Sequence, residues 1–177
     1  MATTIVDIYS TFEQSMVNVV NQVCTELQIP LQPIVSHQNG PEPKQNYVVI
    51  NTLNIDATGH ADSQRNAMFF QANSMKQYMV QQYEVVVQLQ FFGQGAGGVA
   101  MGYYSQLSGN SVVREIHTKN NLAIRRKTNL RRAPQLRGGV WVNSFAFDMT
   151  LGFAVRSAQE IDWVDSITVN GENIPLI

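Results

Sequence analysis

A glycine-rich segment is the first part of this chain whose residue types and spacing could bind a ligand. Gly93-Gln94-Gly95-Ala96-Gly97-Gly98 matches the G-x-G-x-x-G pattern that binds dinucleotide phosphates, and it lies between a predicted strand and a predicted helix. Glu115 follows at about the distance where such proteins bind a ribose. However, that pattern belongs to a parallel βαβ unit with fully buried strands, whereas here the next extended segment carries Arg125 and Arg126. The segment is therefore predicted to be a flexible glycine loop, and no cofactor is expected.

Metal binding and nucleophilic catalysis find no support in the residue spacing. His37, His60 and His117 stand far apart, and neither Cys24 nor a close pair of carboxylates completes a metal-ligand pattern. No nucleophile-elbow pattern surrounds any serine. We therefore expect no metal site, no catalytic residues and no enzymatic activity.

The strongest concentration of charge is a basic cluster that holds half of the 12 Lys and Arg residues within 13 positions. Its members are Arg125, Arg126, Lys127, Arg131, Arg132 and Arg137. Because the guanidinium fork suits phosphates and carboxylates alike, the cluster could face DNA or an acidic patch on a neighbouring subunit. A solvated hairpin is an equal alternative. The cluster contains no aromatic residue, which argues against a platform that stacks single-stranded bases.

The bulk composition bounds the class of protein. Charged residues make up 14% of the 177 residues and the formal net charge is −1, so no global field attracts nucleic acid or an anionic membrane. Cys24 is the only cysteine, which excludes an intramolecular disulfide and favours a reducing cytoplasm. No signal peptide or membrane-spanning stretch is predicted. This length fits a single domain over residues 1–177.

The elements that must position these residues predict an α+β fold. Three-and-four spacing predicts an N-terminal helix over 5–27, with Thr4 and Asp7 as a capping pair. Strands are predicted from Tyr47 and from Tyr83, and a second helix within 99–116 is interrupted near Gly109. We expect a mainly antiparallel or mixed β-sheet packed against both helices, with a long β-hairpin-like C-terminal part.

A long loop is predicted over residues 57–77, between the two strands. Its only apolar cluster is Met68-Phe69-Phe70, which either docks onto a partner or packs against its own domain.

The alternating segment Trp141–Val155 is the clearest strand pattern in the chain. A straight strand of this length would span roughly 50 Å, beyond the roughly 40 Å diameter of a compact domain of this size. It must therefore either project towards a partner that covers its edges or bend, and Gly152 is the natural position for a bend.

The order of these elements carries a family resemblance. An N-terminal helix is followed by the Asn39-Gly40-Pro41-Glu42-Pro43 loop, the Tyr47-Val48-Val49-Ile50 strand and the Gln82–Val87 strand with Phe91-Phe92-Gly93. A helix and paired strands that end in Asp162-Trp163-Val164-Asp165 complete the order. This arrangement resembles the neck or tail terminator proteins of long-tailed bacteriophages.

The resemblance implies a virion subunit that is assembled in the host bacterial cytoplasm and forms a ring, commonly a hexamer. Such a ring caps the head-proximal end of the tail tube, ends tube polymerisation and joins the neck or head connector. A sheath protein is a further possible partner. Genomic DNA would pass through the bore without sequence-specific binding, and no membrane is involved. The basic cluster and Met68-Phe69-Phe70 are then the candidate interface residues.

Three alternatives remain open at this point. Within structural proteins, the chain could be another head-tail joining or tail-tube component. It could instead be a DNA-binding module that uses the Arg125–Arg137 cluster, in which case affinity would fall steeply with salt. A nucleotide-dependent enzyme would be stabilised by a dinucleotide.

Overall fold

A computed structural model describes residues 7–37, 40–58, 65–71, 74–161, 166–169 and 172–175. Within these ranges the chain forms three helices and eleven strands. The helices are α1 (Ile8–Glu26), α2 (Ala96–Gly109) and α3 (Ser111–Lys119). The strands are β1 (Gln32–Val35), β2 (Tyr47–Ala57), β3 (Arg65–Gln71), β4 (Ser74–Phe92), β5 (Leu122–Lys127), β6 (Arg131–Arg132), β7 (Gln135–Arg137), β8 (Val140–Val142), β9 (Ser144–Ile161), β10 (Ser166–Val169) and β11 (Glu172–Pro175).

The main sheet is mixed, with the strand order β1-β2-β4-β9-β5. β1 pairs parallel with β2, whereas β2 with β4 and β5 with β9 pair antiparallel. β3 adds to β4, and β6 adds to β9. The predicted α+β class is therefore confirmed. β9 lies between β4 and β5 in this sheet, so the strand that follows the glycine-rich segment and the two helices is not a direct neighbour of β4.

Contacts divide the chain into two compact units. The first contains Met1–Thr58 and Gln82–Ala154, and the second contains Gly59–Gln81 and Val155–Ile177. In the second unit, β3 pairs with the beginning of β4, and β10 pairs with β11. The predicted single domain over 1–177 stays a prediction.

The loop predicted over residues 57–77 is replaced largely by strand. β3 occupies Arg65–Gln71, and β4 already begins at Ser74, where Ser74 pairs with Gln71. The mostly polar sequence here lacks the apolar alternation that marks a strand, and its hydrogen-bonded pairing partners are supplied by β4. Pairing of this kind is a tertiary property that a local pattern does not reveal.

α1 supplies much of the core of the first unit. Its buried side chains recur at helical spacing and are Phe12, Met16, Val19, Val20, Val23 and Cys24. Asp7 caps the helix, since its Oδ1 accepts hydrogen bonds from the backbone N–H groups of Tyr9 and Ser10. The predicted partner in the cap, Thr4, lies outside the described residues.

The sheet buries the alternate side chains of β4 and β9 on the face that packs against the helices. The buried residues on this face include Val85, Val87, Leu89 and Phe91 of β4, and Phe147, Met149, Leu151 and Phe153 of β9. Phe153 meets Phe12 of α1 edge to face at 5.5 Å between ring centroids, and Phe91 lies 5.8 Å from Tyr103 of α2. Since strand side chains alternate between faces, the intervening polar residues occupy the opposite face of the sheet.

The interruption predicted near Gly109 is confirmed. α2 ends at Gly109, and α3 begins at Ser111 after Asn110, whose side chain accepts hydrogen bonds from the backbone N–H groups of Val112 and Val113. A capping asparagine thus starts a new helix directly after a helix-weakening glycine.

The long strand predicted over Trp141–Val155 is divided differently in the structure. β8 ends at Val142, and β9 runs from Ser144 through Gly152 to Ile161, so the interruption falls at Asn143. The register shift nearest to Gly152 lies on β5, between Ile124 and Arg126. Projection of this segment towards a partner stays a prediction.

Candidate interface surfaces

Residues 131–146 form one continuous β-hairpin, here called the 131–146 hairpin. Its cross-strand pairs keep a constant register from β6–β9 into β7–β8: Arg131 with Ala146, Arg132 with Phe145, Gln135 with Val142, Leu136 with Trp141 and Arg137 with Val140. The regular backbone pairing is interrupted at Pro134, because proline has no N–H to donate. Gly138 and Gly139 form the turn with φ values of 53° and 81°, which suits a two-residue type I′ turn.

One face of the 131–146 hairpin is held against the rest of the first unit by Arg137. Its guanidinium lies 4.2 Å from the centre of the Phe92 ring and donates hydrogen bonds to Glu42 at 2.9 Å and to the Tyr47 hydroxyl at 2.8 Å. It also donates to Gln135 at 3.0 Å, while Tyr47 stacks on Phe92 at 5.0 Å. We call this group the Arg137 clamp. It joins the hairpin to β2 and to the loop before β2.

The buried Tyr47 hydroxyl is central to the Arg137 clamp. Burial and the neighbouring Glu42 carboxylate raise the pKa of Tyr47, although the Arg137 charge opposes this effect. Tyr47 therefore stays protonated at neutral pH and donates its hydrogen bond to Glu42 while it accepts one from Arg137.

The opposite face of the 131–146 hairpin presents apolar side chains to solvent. Trp141 is 69% exposed and its cross-strand partner Leu136 is 59% exposed. Pro134, Asn143 and Arg132 are exposed nearby in the same two arms. We call Leu136 and Trp141, with these three neighbours, the hairpin tip. A large aromatic and an aliphatic side chain side by side in water are typical of a surface that a partner covers.

The polar face of the sheet carries a network that links β4, β9 and β6. Asp148 accepts two hydrogen bonds of 3.1 Å from Arg131 and one of 3.0 Å from Gln88. Burial acts to raise the pKa of Asp148, but the hydrogen bonds from Arg131 and Gln88 outweigh it, so this pKa is lowered. Nearby, Gln90 donates to Ser144 at 2.9 Å.

The structure separates the six residues of the basic cluster into two groups. Four are engaged within the chain: Arg131 and Arg137 as above, Arg125 with Glu84 at 3.0 Å, and Lys127 with the Tyr104 carbonyl at 2.9 Å and its ring at 3.7 Å. Arg126 and Arg132 are exposed, and neither forms an ion pair within the described ranges. The cluster is therefore partly a set of internal ties, and two of its cations face solvent.

Met68, Phe69 and Phe70 lie in β3 and pair with Gln77, Lys76 and Met75 of β4. Their side chains lie outside the described part of the molecule. The prediction that they contact a partner stays a prediction.

A groove of about 430 Å³ opens between α1 and α3. Val112, which is 40% exposed, and the half-buried Ile116 supply its apolar surface. Glu26 and Glu115 bring negative charge to its rim, and Lys119 pairs with Glu115 at 2.7 Å. We call it the α1–α3 groove. Its volume lies within the range of roughly 300–1,000 Å³ that is common for binding pockets.

Other chemically capable groups are buried singly. The pKa of Cys24 is raised to about 11 by burial, so its thiol is unreactive at neutral pH. His117 bonds the Val113 carbonyl through Nδ1 at 2.8 Å, and burial lowers its pKa. Within the described ranges no group of three His, Cys, Asp or Glu side chains could hold a metal ion. No helix in those ranges is both long and apolar enough to cross a membrane.

The family of the chain follows from a match over nearly its whole length. The family model described as phage neck terminator protein aligns with residues 8–175, which include most of both compact units and the complete 131–146 hairpin. The chain belongs to this phage neck terminator family. The resemblance predicted from the order of elements is thereby confirmed, and the family is one of virion structural proteins.

The solved structures contain a distant likeness. The chain is similar, with a TM-score of 0.45 and 10% sequence identity, to the sheath/tube terminator of an extracellular contractile injection system, PVC, determined by cryo-EM in the extended state. The alignment covers 99% of this chain and 66% of that chain. No curated protein matches the chain.

The hairpin tip was missed at the level of sequence, where Trp141 was assigned to a long strand. A signal for it was present, because Gly138-Gly139 stands between two short runs, Gln135–Arg137 and Val140–Val142, as a two-residue hairpin turn requires. The clamp partners Glu42 and Tyr47 had no comparable signal, since they lie 95 and 90 residues before Arg137.

Proposed function

We propose that the protein caps the head-proximal end of a phage tail tube as a closed ring, commonly a hexamer, and ends tube polymerisation. The same ring forms the surface that joins the tail to the neck or head connector. The observation that carries this proposal is the family match over residues 8–175. The exposed hairpin tip and the exposed Arg126 add surfaces suited to partners.

The mechanism is geometric rather than chemical. A tube grows because each ring offers the next ring the same contact surface, and growth stops when the last ring offers a different one. The capping subunit binds the exposed end of the tube on one side and presents a different surface on the other. The sheath of a contractile tail is a further candidate partner of this ring.

DNA in this proposal passes through the bore without sequence-specific contact. The internal pairs of Arg125, Arg131 and Arg137 support this proposal, because phosphates would have to displace Glu84, Asp148 and Glu42 from these cations. A dedicated DNA-binding module would be expected to leave such cations free. Affinity for duplex DNA at low salt is therefore expected to be weak and only slightly reduced by Arg131→Gln.

The experiment that tests the proposal combines native mass spectrometry with a tube assembly assay. The protein alone, or together with tail-tube protein, is expected to form a ring of uniform subunit number, and negative-stain images should show a central hole. When it is added during polymerisation, it should shorten tubes and lie at one end only. A strict monomer at micromolar concentration with and without tube protein, and unchanged tube lengths, would overturn the proposal.

A further inference from the structure

The described surface carries a convex apolar feature and a concave apolar feature on different elements. The convex one is the hairpin tip, where Trp141 and Leu136 are more than half exposed. The concave one is the α1–α3 groove, lined by Val112 and Ile116. Each leaves apolar surface in water, and burial of that surface in a contact would stabilise the complex by roughly 25 cal/mol per Å².

The two features are also complementary in charge. Arg132 is exposed in the hairpin arm and bonds only the Asn143 side chain among the described residues. The groove rim carries the Glu115–Lys119 ion pair and Glu26, which forms no ion pair within the described ranges and leaves a net negative charge there. A guanidinium opposite Glu26 would steer and orient contact between the two surfaces.

We propose that the hairpin tip of one copy of this chain inserts into the α1–α3 groove of a neighbouring copy. The contact joins two different surfaces of identical chains, so it is heterologous, and repetition of it closes into a ring when the rotation per subunit allows. This inference rests on the proposed ring and assigns its contact surfaces. Trp141 is the central anchor, because a tryptophan buries roughly 150–250 Å².

The Arg137 clamp reduces the entropy that is lost when the hairpin tip inserts. A free hairpin would lose conformational entropy on binding, whereas Arg137 already holds the hairpin against Phe92, Tyr47 and Glu42. The Gly138–Gly139 turn keeps the hairpin narrow at its end. The tip is thus presented in one conformation before it meets a neighbour.

The first test replaces single residues and measures assembly by native mass spectrometry and analytical ultracentrifugation. Trp141→Ser on the hairpin tip and Val112→Lys in the groove are each expected to raise the protein concentration for half-assembly by roughly 30-fold, as loss of an interface anchor does. Met101→Ser is the matched control, because Met101 is a 56% exposed apolar side chain on α2 outside both surfaces. It should assemble like the wild type.

The decisive test mixes the two defective variants. A Trp141→Ser chain retains an intact groove and a Val112→Lys chain retains an intact tip, so a mixture can rebuild one interface per pair. At a protein concentration between the half-assembly concentrations of the wild type and of the variants, the mixture should form dimers but no rings, while each variant alone stays mostly monomeric. Arg132→Glu should weaken assembly, and Glu26→Arg added to it should restore most of the loss.

The outcomes separate this inference from the proposed function. If Trp141→Ser and Val112→Lys form rings at the same concentration as the wild type, the assigned interface is overturned, whereas the proposal of a capping ring stands. If Trp141→Ser forms normal rings that no longer shorten tubes, the hairpin tip contacts the tube, and the assigned interface between subunits is overturned as well. Wild-type chains that stay monomeric with and without tube protein would overturn both.

Discussion

Replacement of Arg137 by alanine should destabilise the first unit more than replacement of any other member of the basic cluster. Its guanidinium joins three separate parts of the chain: the Phe92 ring at 4.2 Å, Glu42 at 2.9 Å and the Tyr47 hydroxyl at 2.8 Å. The variant would also leave the Tyr47 hydroxyl, on a side chain that is only 3% exposed, without one of its two partners.

The magnitude follows from these contacts. A partly desolvated cation–π pair contributes about 1 kcal/mol, and the ion pair with Glu42 about 0.5 kcal/mol because both side chains are partly exposed. Loss of the hydrogen bond to Tyr47 costs about 1 kcal/mol. The free energy of unfolding should fall by about 2–3 kcal/mol, which lowers Tm by roughly 4–12 °C for a chain of this size.

Urea unfolding followed by circular dichroism and a thermal scan measure this change. Arg126→Ala is the matched control, because it removes the same charge from an exposed side chain and should change stability by less than about 0.5 kcal/mol. Arg137→Lys should recover less than half of the loss, since lysine lacks the planar fork. If Arg137→Ala and Arg126→Ala unfold alike, the Arg137 clamp does not stabilise the fold.

Three further predictions concern the first unit. Gly97→Ala should cost about 1–3 kcal/mol, because its Cβ would lie 2.9 Å from the Phe145 ring, whereas Gly98→Ala, with open space, should be neutral or stabilising; urea unfolding distinguishes them. His117 has a lowered pKa in the folded state, so the unfolded state binds the proton more readily. The free energy of unfolding of the wild type should therefore fall as pH drops below about 6.5. In the His117→Leu variant this fall should be smaller, as measured by urea unfolding at a series of pH values. The pKa of Asp148 is also lowered, so Arg131→Gln should reduce the free energy of unfolding at pH 7. The difference from the wild type should shrink as pH falls below about 3.8, where Asp148 becomes protonated, and the same series of unfolding measurements tests this. A difference that does not change with pH would contradict the pairing of Arg131 with Asp148.

Local periodicity in the sequence was sufficient for α1, for the break near Gly109 and for the strand character of Tyr83–Phe91. These elements bury one face, and a buried face imposes a repeat of 3.6 or 2 residues that can be read without the rest of the chain. The same patterns led to the α+β class and, through the order of elements, to the family. The glycine pattern of residues 93–98 lies between β4 and α2, as expected, and the absence of a cofactor stays a prediction.

What only the tertiary structure decided was the use of each charged and apolar side chain. Arg131 and Arg132 are adjacent in sequence and both exposed, yet only Arg131 pairs with Asp148, because neighbours in a strand point to opposite faces. β3 and the beginning of β4 pair with each other where the sequence predicted a loop. Trp141 has the pattern of a core residue and is 69% exposed because its strand belongs to the hairpin and not to the sheet. Composition and periodicity determine which elements form, but partners that are distant in sequence determine which faces remain available for assembly.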